Sequence, residues 1–203
     1  FILMHAHRYG EARRNFDAGK MYVPTGIELE GLTLGLIGFG ASAQDLARRA
    51  KPFGLRILAI DIRPIEEKIL AEIQPEFLGG PEDVDRVVAE SDYLSLHLHL
   101  TPETRHTIDA RRIGLMKETA CLINVARGAL VDEDALYRAL LDGRLSGAGL
   151  DVFAQEPPPI AQCVCHAPHR GFDRRHLAQA GASGRGQPRP LRSGRGARGA
   201  SHV

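Results

Sequence analysis

The 203-residue chain contains no tryptophan, only 5% aromatic residues, and just three cysteines and three methionines. Cys121, Cys163 and Cys165 cannot close an even disulfide framework, so a reducing, cytoplasmic setting is the expectation. Long apolar runs are missing as well. The longest nearly uncharged stretch, 32–43, is interrupted by glycines and is shorter than the roughly 20 residues needed to cross a bilayer. No charged start, apolar core and cleavage pattern of a secretory leader is readable at the amino terminus. The chain begins at Phe1, inside an apolar phrase (Phe1, Ile2, Leu3, Met4), and is expected to be a fragment.

A near-zero net charge of +1 conceals an uneven distribution. Residues 160–203 hold eight arginines, no lysine and one acid, Asp173, for a net +7; residues 1–159 hold 18 basic and 24 acidic side chains, for a net −6. The basic stretch also carries seven glycines and no helical or strand period. Such a composition buries too little apolar surface to offset chain entropy, so 160–203 is expected to be a disordered Arg/Gly-rich tail.

Residues 1–159 alternate strand and helix signals. The β-rich run Thr33 to Ile37 ends in glycines, after which Ala43, Leu46, Ala47, Ala50 and Phe53 share one helical face that Gly54 stops. Leu55 to Ile60 is almost continuously apolar, as a parallel strand buried on both faces must be. Further strands are expected at 77–78, 93–98, 120–125 and 148–153, with helices at 65–73, 82–90, 110–116 and 133–142. Six strands joined by crossover helices imply an α/β protein with a Rossmann-type, doubly wound parallel sheet in three layers. Ahead of them, 4–20 reads as one charged amphipathic helix that needs a partner surface.

The turn Gly38-x-Gly40-x-x-Ala43 opens a helix directly after a strand, and Asp61 closes the next strand 23 positions after Gly38. Gly38 permits the tight turn, Gly40 lets backbone approach a pyrophosphate, and Ala43 allows close packing of helix on sheet. The helix start offers free N–H groups to the anion. Asp61 would accept hydrogen bonds from adenosine ribose hydroxyls and repel a 2′-phosphate, which favours NAD over NADP, although Arg63 stands two residues on. A plain glycine turn is the alternative reading of the triplet.

Four phrases in fixed order carry a resemblance: Leu34-Gly-Leu-Ile-Gly-Phe-Gly40, Leu94-Ser-Leu-His-Leu-His-Leu-Thr-Pro-Glu-Thr-Arg105, Ile123-Asn-Val-Ala-Arg-Gly-Ala-Leu-Val-Asp132 and Gly149-Leu-Asp-Val-Phe-Ala-Gln-Glu-Pro157. Together they resemble the D-isomer-specific 2-hydroxyacid dehydrogenases, the group that includes D-3-phosphoglycerate dehydrogenase, over about 3–158. The stretch Pro24-Thr-Gly-Ile-Glu-Leu-Glu-Gly31 is similar to that family's entry into its cofactor domain. The resemblance implies reversible hydride transfer between NAD and C2 of a small 2-hydroxy or 2-oxo acid. It also implies Arg127 on the substrate carboxylate, Glu156 orienting a catalytic histidine, and Asp151 near the nicotinamide carboxamide. Further cofactor contacts fall at Ala41, Ser42, Leu98, Val125 and Ala126, mostly through backbone. A homodimer paired through its cofactor domains is implied too. His99 stands where the family has proline, and His97 is given no catalytic role.

The family's catalytic histidine sits in a phrase like Thr-Pro-His-Ile-Ala-Gly, whereas this chain offers Ala167-Pro-His-Arg-Gly171, with His169 only 13 residues after Glu156. One reading keeps His169 as proton donor on a shortened loop. In another, 165–173 back-translated and read one base later gives Val-Thr-Pro-His-Ile-Ala-Gly-Ser-Thr, and 185–191 gives a phrase like the family's closing helix. A deletion with a frameshift, in the gene or its record, is therefore expected to have produced the tail. The expected organisation is an interdomain helix and linker at 1–25, an NAD-binding domain at 26–159 and the tail at 160–203, with weak or no turnover. A non-catalytic NAD-binding module is the alternative. Zinc at Cys163, Cys165, His166 and His169 lacks the paired spacing of a knuckle, and nucleic acid on the basic tail lacks interleaved aromatics, so neither a metal nor a nucleic-acid partner is expected.

Overall fold

The computed structural model describes residues 1–154. Two short helices come first, α1 (Ile2–Ala6) and α2 (Tyr9–Asp17). They are followed by β1 (Thr33–Ile37), α3 (Ala41–Ala50), β2 (Arg56–Ile60), α4 (Glu67–Ile73), β3 (Phe77–Gly79) and α5 (Val84–Glu90). The second half runs β4 (Tyr93–Leu96), α6 (Ala110–Leu115), β5 (Cys121–Asn124), α7 (Glu133–Leu141) and β6 (Gly147–Leu150). All six strands are parallel and lie in the order β3-β2-β1-β4-β5-β6. This is the doubly wound arrangement read from the alternation of signals, with the chain reversing its direction of growth between β1 and β4.

The period of two in each strand divides the core into two layers. Leu34, Leu36, Ile57, Ala59, Tyr93, Cys121 and Ile123 face α1, α3 and α4, where Ala43, Ala47 and Ala50 bring α3 close to the sheet. Ile37, Leu58, Ile60, Leu94, Leu96 and Leu122 face α5, α6 and α7. Register is continuous across the reversal: Leu34 pairs with both Ile57 and Tyr93, and Tyr93 with Cys121. Asp109 and Asp132 cap α6 and α7, their carboxylates accepting the Arg112 and Ala135 N–H groups at 2.8 and 3.0 Å. Arg144 closes the other end of α6, donating to the Gly114 and Met116 carbonyls at 2.6 and 2.9 Å.

The single helix expected over 4–20 is two helices. The chain breaks at Arg8, a left-handed residue with φ 50° and ψ 42°. The break follows from docking: Ala6 is buried, its carbonyl accepts the Ile27 N–H at 2.8 Å, and Gly26 lies against it. His5 is buried with it and reaches the Tyr93 hydroxyl (3.2 Å) and the Ser146 hydroxyl (2.8 Å), tying α1 to the entry of β4 and β6. Helix α2 buries none of its residues. The strands expected at 93–98, 120–125 and 148–153 stop early because side chains and loops take over their carboxyl ends, as described below.

Gly35, in the middle of β1, has no room for a side chain: a β-carbon there would overlap the Ser91 hydroxyl and lie 2.9 Å from Val87. Gly114, in α6, has nothing within 4 Å of the same position. Gly35→Ala is expected to lower unfolding stability by about 1–3 kcal/mol, while Gly114→Ala is expected to raise it by roughly 0.5–1 kcal/mol. Urea denaturation of both variants checks the pair, and equal midpoints would contradict the packing described.

Candidate functional site

The sequence-predicted site residues that lie within 1–154 fall along the carboxyl edge of the sheet, around the gap between β1 and β4. Gly38 ends β1 with φ +89°, and a β-carbon there would lie 2.9 Å from the His97 carbonyl oxygen and 3.1 Å from Leu98. Only glycine fits both the sign of φ and the space. Gly40 differs: its backbone is extended, and an added β-carbon would meet only Arg63 Nη2, at 3.5 Å. The space above Gly40 is therefore open. Ala41 begins α3 there, a ten-residue helix whose first turn has no acidic side chain and no side-chain cap. Exposed first-turn N–H groups, the helix dipole and open space suit an anion, so the cradle fits a dinucleotide pyrophosphate. Ala43 is fully buried against the sheet.

Asp61 follows β2. One carboxylate oxygen accepts the Phe39 N–H at 2.8 Å, bracing the glycine turn, and the other accepts the Arg63 N–H at 2.9 Å and Arg63 Nε at 3.2 Å. Burial works to raise its pKa, but the hydrogen bonds from the Arg63 guanidinium and from the Arg63 and Phe39 N–H groups outweigh it and hold the carboxyl below its ordinary range. Arg63 itself is 68% exposed. The group is an ionised acceptor at neutral pH, as a ribose diol requires.

On the other side of the gap, β4 ends at Leu96. The His97 N–H still donates to the Ile37 carbonyl (2.8 Å), and the chain then leaves the sheet. The half-buried His97 ring bridges two hydroxyls: Nδ1 lies 3.1 Å from Ser42 Oγ at the start of α3, and Nε2 lies 3.0 Å from the fully buried Ser95 Oγ. Burial pushes its pKa down to about 4, so the ring is neutral at pH 7. Ser42, in α3, and Leu98, just past β4, thus meet the same turn from opposite sides. His99 is exposed and acts through backbone, its carbonyl accepting the Thr104 hydroxyl at 2.7 Å. A cavity of about 430 Å³ between α1 and α3 ends at Ser42, Ser95, His97 and Val125.

Asn124 closes β5. Its buried side chain donates to the Arg127 carbonyl (2.9 Å) and accepts the Ala126 N–H (3.1 Å), folding 124–127 into a tight turn that ends the strand. Val125 is left 41% exposed and Arg127 exposed with extended backbone, its Nη1 donating to the Ala126 carbonyl at 2.7 Å. Gly128 is crossed by the chain returning from β6, since a β-carbon there would overlap the Phe153 and Ala154 backbone, and Ala154 N–H donates to Glu133 at 2.6 Å. Asp151 is exposed at the end of β6, where its N–H donates to the Asn124 carbonyl (3.0 Å). Glu156 and His169 lie outside the described residues, as do the expected tail and Cys163, Cys165 and His166.

Two contributors went unread in the sequence. Asn124 stands within the stretch 123–132, where an asparagine ending an apolar run is itself a turn signal. The Ser95–His97–Ser42 chain has no local signal, because its ends are 55 residues apart in sequence. Among the described residues no group of three His, Cys, Asp or Glu could hold a metal ion, and no helix is long and apolar enough to cross a membrane.

Comparison with known proteins agrees with this fold. Residues 1–171 match the family model described as D-isomer specific 2-hydroxyacid dehydrogenase, NAD binding domain. A glycerate dehydrogenase of Methylorubrum extorquens is 42% identical over 140 residues, covering 69% of this chain and 40% of that protein. A D-3-phosphoglycerate dehydrogenase of Methanocaldococcus jannaschii is 44% identical over 151 residues, covering 72% of this chain and 28% of that protein. Among solved structures, the NAD-complexed D-isomer specific 2-hydroxyacid dehydrogenase of Lactobacillus delbrueckii ssp. bulgaricus superposes with a TM-score of 0.66 at 34% identity, covering 75% of this chain and 45% of that one. The chain thus spans less than half the length of the curated relatives it matches. With the family model matching most of its length, the chain belongs to the D-isomer specific 2-hydroxyacid dehydrogenases, within their NAD-binding domain.

Proposed function

We propose that this chain is the cofactor-binding part of an NAD-dependent dehydrogenase that interconverts small 2-hydroxy and 2-oxo acids. The observation that carries the reading is the open cradle over Gly40 at the start of α3, flanked by the ionised Asp61 on one side and the Val125–Arg127 turn on the other. NAD supplies the hydride acceptor or donor when bound. The N–H groups at Ala41 and Ser42 bind the pyrophosphate, and Asp61 accepts from the ribose hydroxyls. Leu98, Val125, Ala126 and Asp151 line the path toward the nicotinamide end. Arg127 offers a planar, permanently charged guanidinium suited to bidentate binding of a carboxylate and the adjacent carbonyl. Glu156 and His169 are the proposed acid/base pair, with the short 13-residue spacing between them limiting turnover. Small-molecule substrates of the glyoxylate and hydroxypyruvate class follow from a site that recognises one carboxylate next to one carbonyl.

A second copy of the chain is the proposed partner, through the cofactor domain. Its support lies just ahead of that domain, in the exposed apolar surface of α2 and the linker after it: Phe16 is 63% exposed, Met21 56% and Tyr22 95%. Isolated exposed apolar side chains are ordinary, but several together mark an interaction face.

Titration with both cofactors by fluorescence is expected to show NADH binding at least roughly tenfold more tightly than NADPH, because Asp61 opposes a 2′-phosphate. Tighter NADPH binding would refute the assignment. Any NADH oxidation that the chain supports with glyoxylate or hydroxypyruvate is expected to be slow, and Arg127→Ala should cut it by at least about 100-fold without weakening NADH binding. Steady, rapid turnover that survives Arg127→Ala would rule out this role. Sedimentation equilibrium is expected to give twice the chain mass, and a monomer at tens of micromolar would remove the dimer.

A further inference from the structure

His97 is a half-buried polar group that the proposed mechanism leaves without a task. Its ring links β4 to the start of α3, with both nitrogens engaged: Nε2 with Ser95 and Nδ1 with Ser42. The two hydroxyls are not equivalent. Ser95 is fully buried, and among the described residues its hydroxyl has one hydrogen-bond partner, His97 Nε2. Ser42 is exposed, in the first turn of α3, where the N–H groups of the cradle are also open.

The direction of these bonds follows from the buried end. A hydroxyl hydrogen left without an acceptor in a dry interior costs as much as a lost hydrogen bond, so the Ser95 O–H donates to Nε2. Nε2 is then an acceptor without a proton. A neutral imidazole carries its one proton on the other nitrogen, so Nδ1–H donates to Ser42 Oγ. With its oxygen accepting from the ring, the Ser42 hydroxyl keeps its own hydrogen for the open side. The opposite tautomer would have Ser42 donating inward and would turn oxygen lone pairs toward the cradle, where they repel an anion.

We propose that His97 is a positioning residue that fixes the Ser42 hydroxyl as a hydrogen-bond donor to the cofactor pyrophosphate, through the directed chain Ser95 O–H to Nε2 and Nδ1–H to Ser42 Oγ. This inference rests on the cofactor reading proposed above. It gives the same residue two duties, because the His97 carbonyl also excludes any side chain from Gly38 while its ring orients Ser42 on the far side of the glycine turn. The low pKa that burial imposes keeps the ring neutral, which the chain of donors requires.

The test uses the full 203-residue chain. Long-range ¹H–¹⁵N correlation spectra of histidine-labelled protein at pH 7, with His97 assigned by its loss in His97→Asn, are expected to show a neutral ring protonated on Nδ1. NADH titrations are expected to show roughly tenfold weaker binding for Ser42→Ala and for His97→Ala, with the double variant no weaker than either alone. His97→Asn, whose side-chain amide can place an N–H where Nδ1–H stands, should restore affinity to within about threefold of the unaltered chain, which a purely structural role for the ring would not produce. A proton on Nε2, additive losses in the double variant, or NADH binding unchanged in Ser42→Ala would overturn this inference alone. Failure of the unaltered chain to bind NADH would overturn the cofactor reading and this inference together. Ser42 is exposed, so Ser42→Ala leaves the core intact and keeps the binding result interpretable even where His97→Ala unfolds.

Discussion

The structure depends on how closely β1 and β4 approach at their carboxyl ends. The strands are hydrogen-bonded neighbours up to Ile37 and Leu96, and just beyond them Gly38 and the His97 carbonyl are packed so tightly that no β-carbon fits between. A doubly wound sheet leaves a crevice at this point because connections on its two sides run to opposite edges. Here the crevice is narrow at its floor and open above Gly40. Most of what surrounds it can be read as support for that shape. Asp61 holds the turn from the β2 side by accepting the Phe39 N–H, and the His97 ring holds the first turn of α3 from the β4 side through Ser42. The turn is braced from both neighbouring strands, so the α3 N–H groups are preorganised and no ordering cost is deferred to the moment of binding.

The opposite edge of the sheet is secured by a different device. His5 inserts from α1 and hydrogen-bonds Tyr93 and Ser146, whose hydroxyl in turn donates to the Thr119 and Ala120 carbonyls. A satisfied polar cluster of this kind specifies one docking position more strictly than apolar packing does, because every displaced member leaves an unpaired group behind. It explains why α1 lies on the sheet while α2, which has no such anchor, buries nothing.

The parts of this architecture that were legible in the sequence are those whose cause is local. Glycine at 38 and 40, the small Ala43 and the terminal Asp61 announce a strand, turn and helix because each satisfies a steric demand within a few residues of itself. Apolar runs at 33–37 and 55–60 give buried parallel strands for the same reason. Strand ends were read too long by one to three residues, because what stops them is not local propensity: Asn124 folds back on Arg127, and His97 turns toward α3. The break at Arg8 was invisible because it is set by Gly26 and Ile27 docking on Ala6, some 20 residues away. The Ser95–His97–Ser42 chain needs a contact across 55 residues, which periodicity cannot supply.

Asp61 shows how one residue serves both support and recognition without conflict. The oxygen that accepts the Phe39 N–H is committed to the turn, and replacing that bond would leave a partly buried N–H unpaired. The other oxygen accepts the Arg63 N–H and Nε, and the mostly exposed guanidinium reaches the first oxygen too, through Nη2 at 3.4 Å. Ion pairs with an exposed partner contribute about 0–1 kcal/mol, since solvent screens them and a long side chain must be held in place. Displacing the guanidinium therefore costs little, whereas a ribose diol can donate to the freed lone pairs of a carboxylate already fixed by the Phe39 and Arg63 N–H groups. The paired arginine also leaves the carboxylate ionised, so the acceptor is in its binding state before any ligand arrives. Recognition falls on the lone pairs that the guanidinium occupies, and the fold rests on the two backbone N–H bonds, from Phe39 and Arg63, that hold the carboxylate in place.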